Sequence, residues 1–170
     1  MASRVWIGID PGLSGAVVVI GDSGEIWVYD TPTVILARGP KGTRREYSVG
    51  EMAQLLRQWR QGGVDVVAAA LEMVQARPGE AVQRGLLTGR GSGIWEGILG
   101  TLELPYQRVC AVSWKRRIFA GSGLPTGDKN ASRVLAQQLF PAAAPELKRV
   151  KDDGRAEALL LAQWIKRETG

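Results

Sequence analysis

Four carboxylates stand where solubility alone does not explain them. Asp10 closes the apolar run Val5-Trp6-Ile7-Gly8-Ile9 and is followed by Pro11-Gly12-Leu13-Ser14-Gly15, while Glu72 closes a second apolar run, Val64 to Leu71. Asp153 and Glu157 lie four residues apart in Lys151-Asp152-Asp153-Gly154-Arg155-Ala156-Glu157, ahead of Ala158-Leu159-Leu160-Leu161. A carboxylate at the end of a buried strand costs several kcal/mol unless it is hydrogen-bonded, paired or bound to a cation. Two carboxylates about 4 Å apart repel by roughly 4 kcal/mol at an effective dielectric of 20, so a cluster of four calls for a counter-charge.

The chain has no His and a single Cys, Cys110, which excludes imidazole bases and ordinary zinc sites. Cys110 lies in an apolar stretch with no His to activate it, and reads as a packed strand thiol. The remaining chemistry rests on carboxylates, hydroxyls, lysines and a hard metal ion. Oxygen-only ligands select Mg²⁺ or Mn²⁺, and a pair of such ions could bridge a phosphate and activate water. Phosphodiester hydrolysis without His has these requirements. Taken singly, Asp10 before Pro-Gly reads as turn chemistry and Asp152 as a helix N-cap. Taken together, two strand-terminal acids and an i, i+4 acidic pair lack a common structural cause.

The elements that must hold these acids follow from the apolar pattern. Strands are expected at about Arg4–Asp10, Gly15–Ile20 and Glu25–Tyr29, separated only by turn residues and therefore an antiparallel meander. The stretch Thr31–Tyr47 turns polar and basic, with Arg38, Lys41, Arg44 and Arg45 around Gly39-Pro40, and reads as a loop. A helix to about Gln61 is predicted by Met52, Leu55, Leu56 and Trp59 and stopped by Gly62-Gly63. The run ending at Glu72 is continuous enough for a strand buried on both faces. Ala81–Leu102 has helical spacing but carries Gly85, Gly89, Gly93 and Gly97 at every fourth residue, each costing about 1 kcal/mol against Ala. That stripe marks a break near Thr88–Gly93, close packing on the chain's own sheet, or a helix at a dimer interface or near DNA. A strand at Tyr106–Cys110 and helices at about Ser113–Phe119, Asp128–Leu139 and Asp153–Arg167 complete the pattern. In the last helix, residues 153, 157, 160, 161 and 164 share a face, so Asp153 and Glu157 continue the packing stripe.

The alternation implies one α/β domain over residues 1–170 with a mixed sheet, and ligands in such sheets bind at the carboxyl ends of parallel strands. A length of 170 residues suits one domain. No apolar stretch is long enough to span a bilayer and the N-terminus lacks a signal-peptide pattern, so no membrane and a cytoplasmic location are expected. A net charge of +5 suggests a polyanionic partner.

These residues resemble the RuvC family of Holliday-junction resolvases, within the RNase H-like superfamily, over nearly the whole chain. Gly8-Ile9-Asp10-Pro11-Gly12 with Gly15 looks like the family's first strand and turn, Leu71-Glu72 its second catalytic strand, and Ala156-Glu157-Ala158-Leu159-Leu160-Leu161-Ala162 its closing helix. The Gly154-Arg155-Ala156-Glu157-Ala158-Leu159-Leu160 run is most similar to the phage and plastid branch. The resemblance implies an RNase H-like fold, a mixed five-stranded sheet with helices on both faces. It also implies a homodimer that binds four-way junction DNA and nicks two opposed strands symmetrically, in the cytoplasm of a bacterial or phage-infected cell or in a plastid.

Carried over by position, the metal ligands are Asp10, Glu72, Asp153 and Glu157, for two Mg²⁺ or Mn²⁺ per site. Many members place the third acid three residues before the last, where this chain has Gly154; Asp153 shares the face, and Asp152 is the alternative. Lys115 and Lys129 resemble basic residues near the scissile phosphate, where a cation stabilises transition-state charge. Gln75 and Arg77, just beyond Glu72, are candidate DNA contacts. Lys115, Arg116 and Arg117, with Lys148, Arg149 and Lys151, flank catalytic segments and suggest a phosphate track.

Two other enzyme classes fit parts of the pattern. Sugar kinases and actin-like ATPases open on a similar Asp-x-Gly turn but need two domains around a nucleotide, so no nucleotide cofactor is expected here. RNase H activity on RNA–DNA hybrids would use the same four acids. A non-catalytic junction-binding protein is disfavoured because all the acids are present.

Overall fold

In the computed structural model the described residues are 2–74 and 82–170, and at 41, 82–84 and 129 only the backbone is described. Strands β1 (Arg4–Asp10), β2 (Ala16–Gly21) and β3 (Ile26–Asp30) form the expected antiparallel meander. Next come β4 (Thr33–Ala37) and β5 (Thr43–Tyr47), then helix α1 (Val49–Gln61), strand β6 (Asp65–Met73), helix α2 (Val82–Thr101) and strand β7 (Tyr106–Cys110). The chain closes with α3 (Ala111–Ile118), α4 (Lys129–Leu139), 3₁₀ turns at Pro141–Leu147 and Val150–Asp152, and α5 (Asp153–Thr169). The main sheet has the order β3-β2-β1-β6-β7, with β6 parallel to both β1 and β7. It is the mixed five-stranded sheet of an RNase H-like α/β fold.

Alternation along the central strands separates two cores. Val5, Ile7, Ile9, Val17 and Val19 pack with Met52 and Leu56 of α1 and Trp95 and Leu99 of α2. On the opposite face Trp6, Val18, Ala68 and Ala70 pack with Trp114 of α3, Leu135 of α4 and Leu159 of α5. Both faces are therefore covered, which is why β1 and β6 read as nearly unbroken apolar runs.

Three sequence expectations change. The stretch Thr31–Tyr47 is not a loop: β4 and β5 pair as an antiparallel hairpin whose register runs from Thr33 beside Tyr47 to Ala37 beside Thr43. Its outer residues are exposed on both faces, so no burial pattern betrayed it, and Gly39-Pro40-Lys41 forms a 3₁₀ turn at its tip. Helix α2 runs unbroken through Thr88–Gly93, and its glycine stripe does not lie on the chain's own sheet: a Cβ at Gly85, Gly89, Gly93 or Gly97 would meet nothing within 4 Å. The helix instead approaches the body at Gly91, out of register with the stripe, where a Cβ would strike Pro11 O and the Tyr47 hydroxyl. Finally, Cys110 is not a packed thiol. It stands at the N-cap of α3 with its Sγ 3.0 Å from Ser113 Oγ, and that hydrogen bond holds the thiol below its ordinary pKa.

Candidate active site

The carboxyl ends of β1 and β6 bring Asp10 and Glu72 to neighbouring positions. Ile9 is the register partner of Leu71, so the acids follow one residue later on adjacent strands, whose chains lie about 5 Å apart. Side chains alternate faces along a strand; Leu71 and Ile9 enter the α1/α2 core, so Asp10 and Glu72 share the face that α5 covers. Asp10 is fixed locally: its Oδ1 accepts a 3.2 Å hydrogen bond from the Gly12 amide, and the Gly15 amide donates to Gly12 O at 2.9 Å. A Cβ at Gly15 would collide with Asp10 O, so this turn requires glycine there.

Helix α5 reaches these acids because it lies backbone to backbone on β1. Gly154, Ala158 and Ala162 recur every fourth residue and so lie on one side of it. A Cβ on Gly8 would strike Ala158 O and Ala162 N, and a Cβ on Gly154 would lie 2.5 Å from Ser14 O and 2.9 Å from Asp10 Oδ2. There is no room at 154 for a carboxylate side chain. Asp153 instead lines a cleft of about 300 Å³ with Asp10, Ser14, Lys151 and Glu157.

Asp152 has a different environment from its neighbour. It is 3% exposed, accepts from the Arg149 amide at 2.8 Å, and takes the Arg149 guanidinium at 2.7 and 3.0 Å. Burial pushes its pKa upward, but the Arg149 hydrogen bonds and charge outweigh this and hold it below the usual carboxylate value. Its carboxylate is occupied in shaping the 3₁₀ turn ahead of α5.

Glu157 is the wall between that cleft and a second of about 590 Å³ that Glu72, Lys115 and Arg116 line. Lys115 of α3 pairs with Glu157 Oε1, and the fully buried Ser132 of α4 lies 3.4 Å from the same oxygen. Thr126 and Gly127, just before α4, line the second cleft. Lys129 opens α4 behind the N-cap Asp128, whose Oδ1 accepts from the Asn130 amide at 2.9 Å; its side chain lies outside the description. Gln75 and Arg77 also lie outside the described residues.

The basic residues divide by position. Lys151 lines the first cleft and Arg116 the second, whereas Arg117 pairs with Glu168 and Arg149 with Asp152. Lys148 is exposed, and its carbonyl accepts from Arg133. Sequence reasoning missed Ser132, whose signal was a hydroxyl in line with the apolar Leu135 and Ala136 of α4. It also missed Tyr47. That hydroxyl lies 3.2 Å from both Pro11 O and Leu87 O, tying the Asp10 turn to α2. Burial, and then the Asp10 charge, push its pKa up to about 12.

The donors at this edge are all oxygens, the set a hard divalent cation takes. The missing side chain at Gly154 lets the start of α5 pack directly against the turn that carries Asp10. Among the described residues no three acidic or Cys side chains converge closely enough to hold a metal as they stand, Glu157 being turned to Lys115. The residue set thus fits such an ion in donor chemistry, while Glu157 is paired with Lys115. Among the described residues no helix is long and apolar enough to cross a membrane.

Comparison with known proteins agrees with the resemblance read from the motifs. The chain is 28% identical over an alignment 161 residues long, which takes in 82% of the chain, to the chloroplastic Holliday junction resolvase MOC1 of Chlamydomonas reinhardtii. It spans 17% of that protein's length. Its fold matches Thermus thermophilus RuvC. The match is at a TM-score of 0.57 to RuvC in complex with a Holliday junction substrate, covering 97% of this chain and 96% of that one. It is at 0.51 to a second RuvC structure, covering 97% of each; both are 16% identical in sequence. No family model matches the chain.

Proposed function

We propose that this chain, acting over residues 1–170 as one RNase H-like nuclease domain, is a metal-dependent endonuclease that resolves four-way DNA junctions by paired symmetric nicks. The observation that supports the reading is the placement of Asp10 and Glu72 at adjacent parallel strand ends, with Asp10, Asp153 and Glu157 lining one cleft and Glu72, Glu157 and Lys115 the next, in a chain without His. The name of the algal relative supports a junction as the substrate. A homodimer is the assembly that delivers two symmetric nicks, and the bacterial or phage-infected cytoplasm, or a plastid, is the compartment we assign.

Asp10, Glu72, Asp153 and Glu157 would hold Mg²⁺ or Mn²⁺, two ions per site. Bound there, divalent cations supply the Lewis acidity that phosphodiester hydrolysis needs where no imidazole is present. The protein's own groups do the rest. The Gly12 amide aims the Asp10 carboxylate, and α5, lying on the β1 backbone, fixes the span between Asp10 and Glu157. Lys115 neutralises Glu157 in the resting site; once released it offers an ammonium to the charge that develops on the phosphate, and Lys129 is a second candidate for that role. Lys151 and Arg116, one on each side of Glu157, hold the flanking backbone, and Arg117, Lys148 and Arg149 extend the track. Gln75 and Arg77 are proposed contacts to the junction core.

The test is incubation with a synthetic four-way junction, a linear duplex and an RNA–DNA hybrid, each with Mg²⁺, Mn²⁺ or EDTA. Paired nicks in the junction with either metal and none with EDTA are expected. Cleavage of the hybrid alone would overturn the resolvase reading in favour of an RNase H-type nuclease. Binding without cleavage under every condition would leave a non-catalytic junction-binding protein.

A further inference from the structure

Apart from Tyr47 at its base, the β4–β5 hairpin takes no part in the site as described, yet it is anchored beside it. Its base is fastened to the turn that follows Asp10. The Arg45 guanidinium donates to Leu13 O at 2.5 Å and to Thr33 Oγ1 at 2.9 Å, and Tyr47 bonds Pro11 O. The Thr31 amide donates to Gly15 O at 3.0 Å. Glu46, in the second-last position of β5, is held by Arg44 at 3.1 Å and by Arg90 of α2. The base is thus braced against both the cleft turn and a long helix, while the outer part is exposed on both faces.

The charge of this arm is one-sided. Residues 33–47 carry Arg38, Lys41, Arg44 and Arg45 against one acid, Glu46, and that acid already has two guanidinium partners. Arg38 and Lys41 sit at the tip, Arg38 just before the 3₁₀ turn and Lys41 its last residue. The exposed aliphatics do not form a separate apolar patch, because Ile35 stands beside Arg45 and Leu36 beside Arg44 across the ladder. A surface of arginines interleaved with short aliphatic stems suits a phosphate backbone better than a protein's apolar face.

We propose that the β4–β5 hairpin is a second nucleic-acid contact, an arm laid along the phosphate backbone of the duplex that flanks the cleft. This rests on the nuclease reading of the cleft. Five-residue strands put the tip about 17 Å from the base, and duplex DNA advances about 3.4 Å per base pair. The tip therefore meets phosphates about five base pairs from the cut.

The experiment compares wild type with Arg38→Glu/Lys41→Glu, and with the milder Arg38→Gln/Lys41→Gln, on a four-way junction. The junction is made with normal phosphates or with neutral methylphosphonates four to six base pairs from the nick. The charge-reversed protein should bind the normal junction about tenfold more weakly at physiological salt, with a log–log salt slope lower by about 2. Methylphosphonates should weaken the wild type while leaving both variants unaffected. A wild type that nicks junctions, with variants matching it in affinity, slope and methylphosphonate response, overturns the hairpin contact alone; the arm would then serve another partner. A wild type that neither binds nor nicks junctions overturns the nuclease reading and the arm with it.

Discussion

Replacing Gly154 with Ala adds one methyl group where the backbone leaves none of the required space. The new Cβ would lie 2.5 Å from Ser14 O and 2.9 Å from both Gly15 Cα and Asp10 Oδ2, against about 3.4 Å for ordinary contact. Two of the three neighbours belong to the main chain, so no rotamer change relieves the clash and α5 must lift from β1 by several tenths of an ångström. Overpacking of this kind costs about 1–3 kcal/mol, and the better helix propensity of Ala returns about 1. The net loss of up to about 2 kcal/mol predicts a Tm lower by up to roughly 8 °C in a chain of this size. The effect on catalysis should be larger, because misplacing reacting groups by about 1 Å costs on the order of 100-fold. Gly89→Ala is the control: it is also in a helix but in open space, and should raise Tm by a few degrees. Calorimetry and single-turnover nicking of a junction, with binding measured separately, read out both effects. A Gly154→Ala protein with wild-type Tm and wild-type nicking would refute the argument that the close approach of α5 sets the site. The pair Asp153→Gly/Gly154→Asp, which moves the carboxylate by one residue, should likewise lose cleavage.

Asp10→Asn should abolish nicking yet keep junction affinity in a gel-shift assay, since it removes a charge from the cleft but none of the basic track. Lys115→Ala should slow single-turnover cleavage by about 10²–10³-fold with binding little changed, the loss being of transition-state charge stabilisation. Asp30 and Asp152 have folded-state pKa values depressed below the unfolded value, Asp30 chiefly by its Arg155 hydrogen bonds. Their contribution is therefore present above the unfolded pKa and lost as pH falls through the folded one, so denaturant melts should weaken below about pH 4. Arg155→Gln and Arg149→Gln should each flatten part of that acid limb. The Cys110 thiol, half-buried and lowered by Ser113, should react with a disulfide reagent in the native protein, and Ser113→Ala should slow the reaction measured by absorbance.

Much of this architecture was legible because burial leaves a periodic mark. Runs such as Val5–Ile9 and Val66–Leu71 announce strands covered on both faces, and the acid ending each announces the edge where they stop. Helix α5 was legible by its stripe of Leu160, Leu161 and Trp164. The β4–β5 hairpin was not, because Thr43-Arg44-Arg45-Glu46 has no apolar alternation to show. The glycine stripe of α2 misled for the converse reason: glycines every fourth residue suggest close packing, but the close approach occurs at Gly91. At the site, the strand-end placement of Asp10 and Glu72 and the shared helix face of Asp153 and Glu157 were visible. The reason for glycine at 154 was not, since it lies in the backbone of a turn some 140 residues away in the chain. The same holds for Ser132 beside Glu157, and for the tie between Asp152 and Arg149.

The contact of α5 with β1 also determines when the site comes into being. Gly8 and Asp10 are synthesised about 150 residues ahead of Ala158 and Glu157. A growing chain can therefore fold its meander and hold Asp10 and Glu72 together long before the last helix arrives, and until then the cluster lacks half its carboxylates. Contacts so distant in sequence form late and slowly. For the nuclease proposed above this ordering would be protective: a chain stalled before α5 carries the first two acids without the other two.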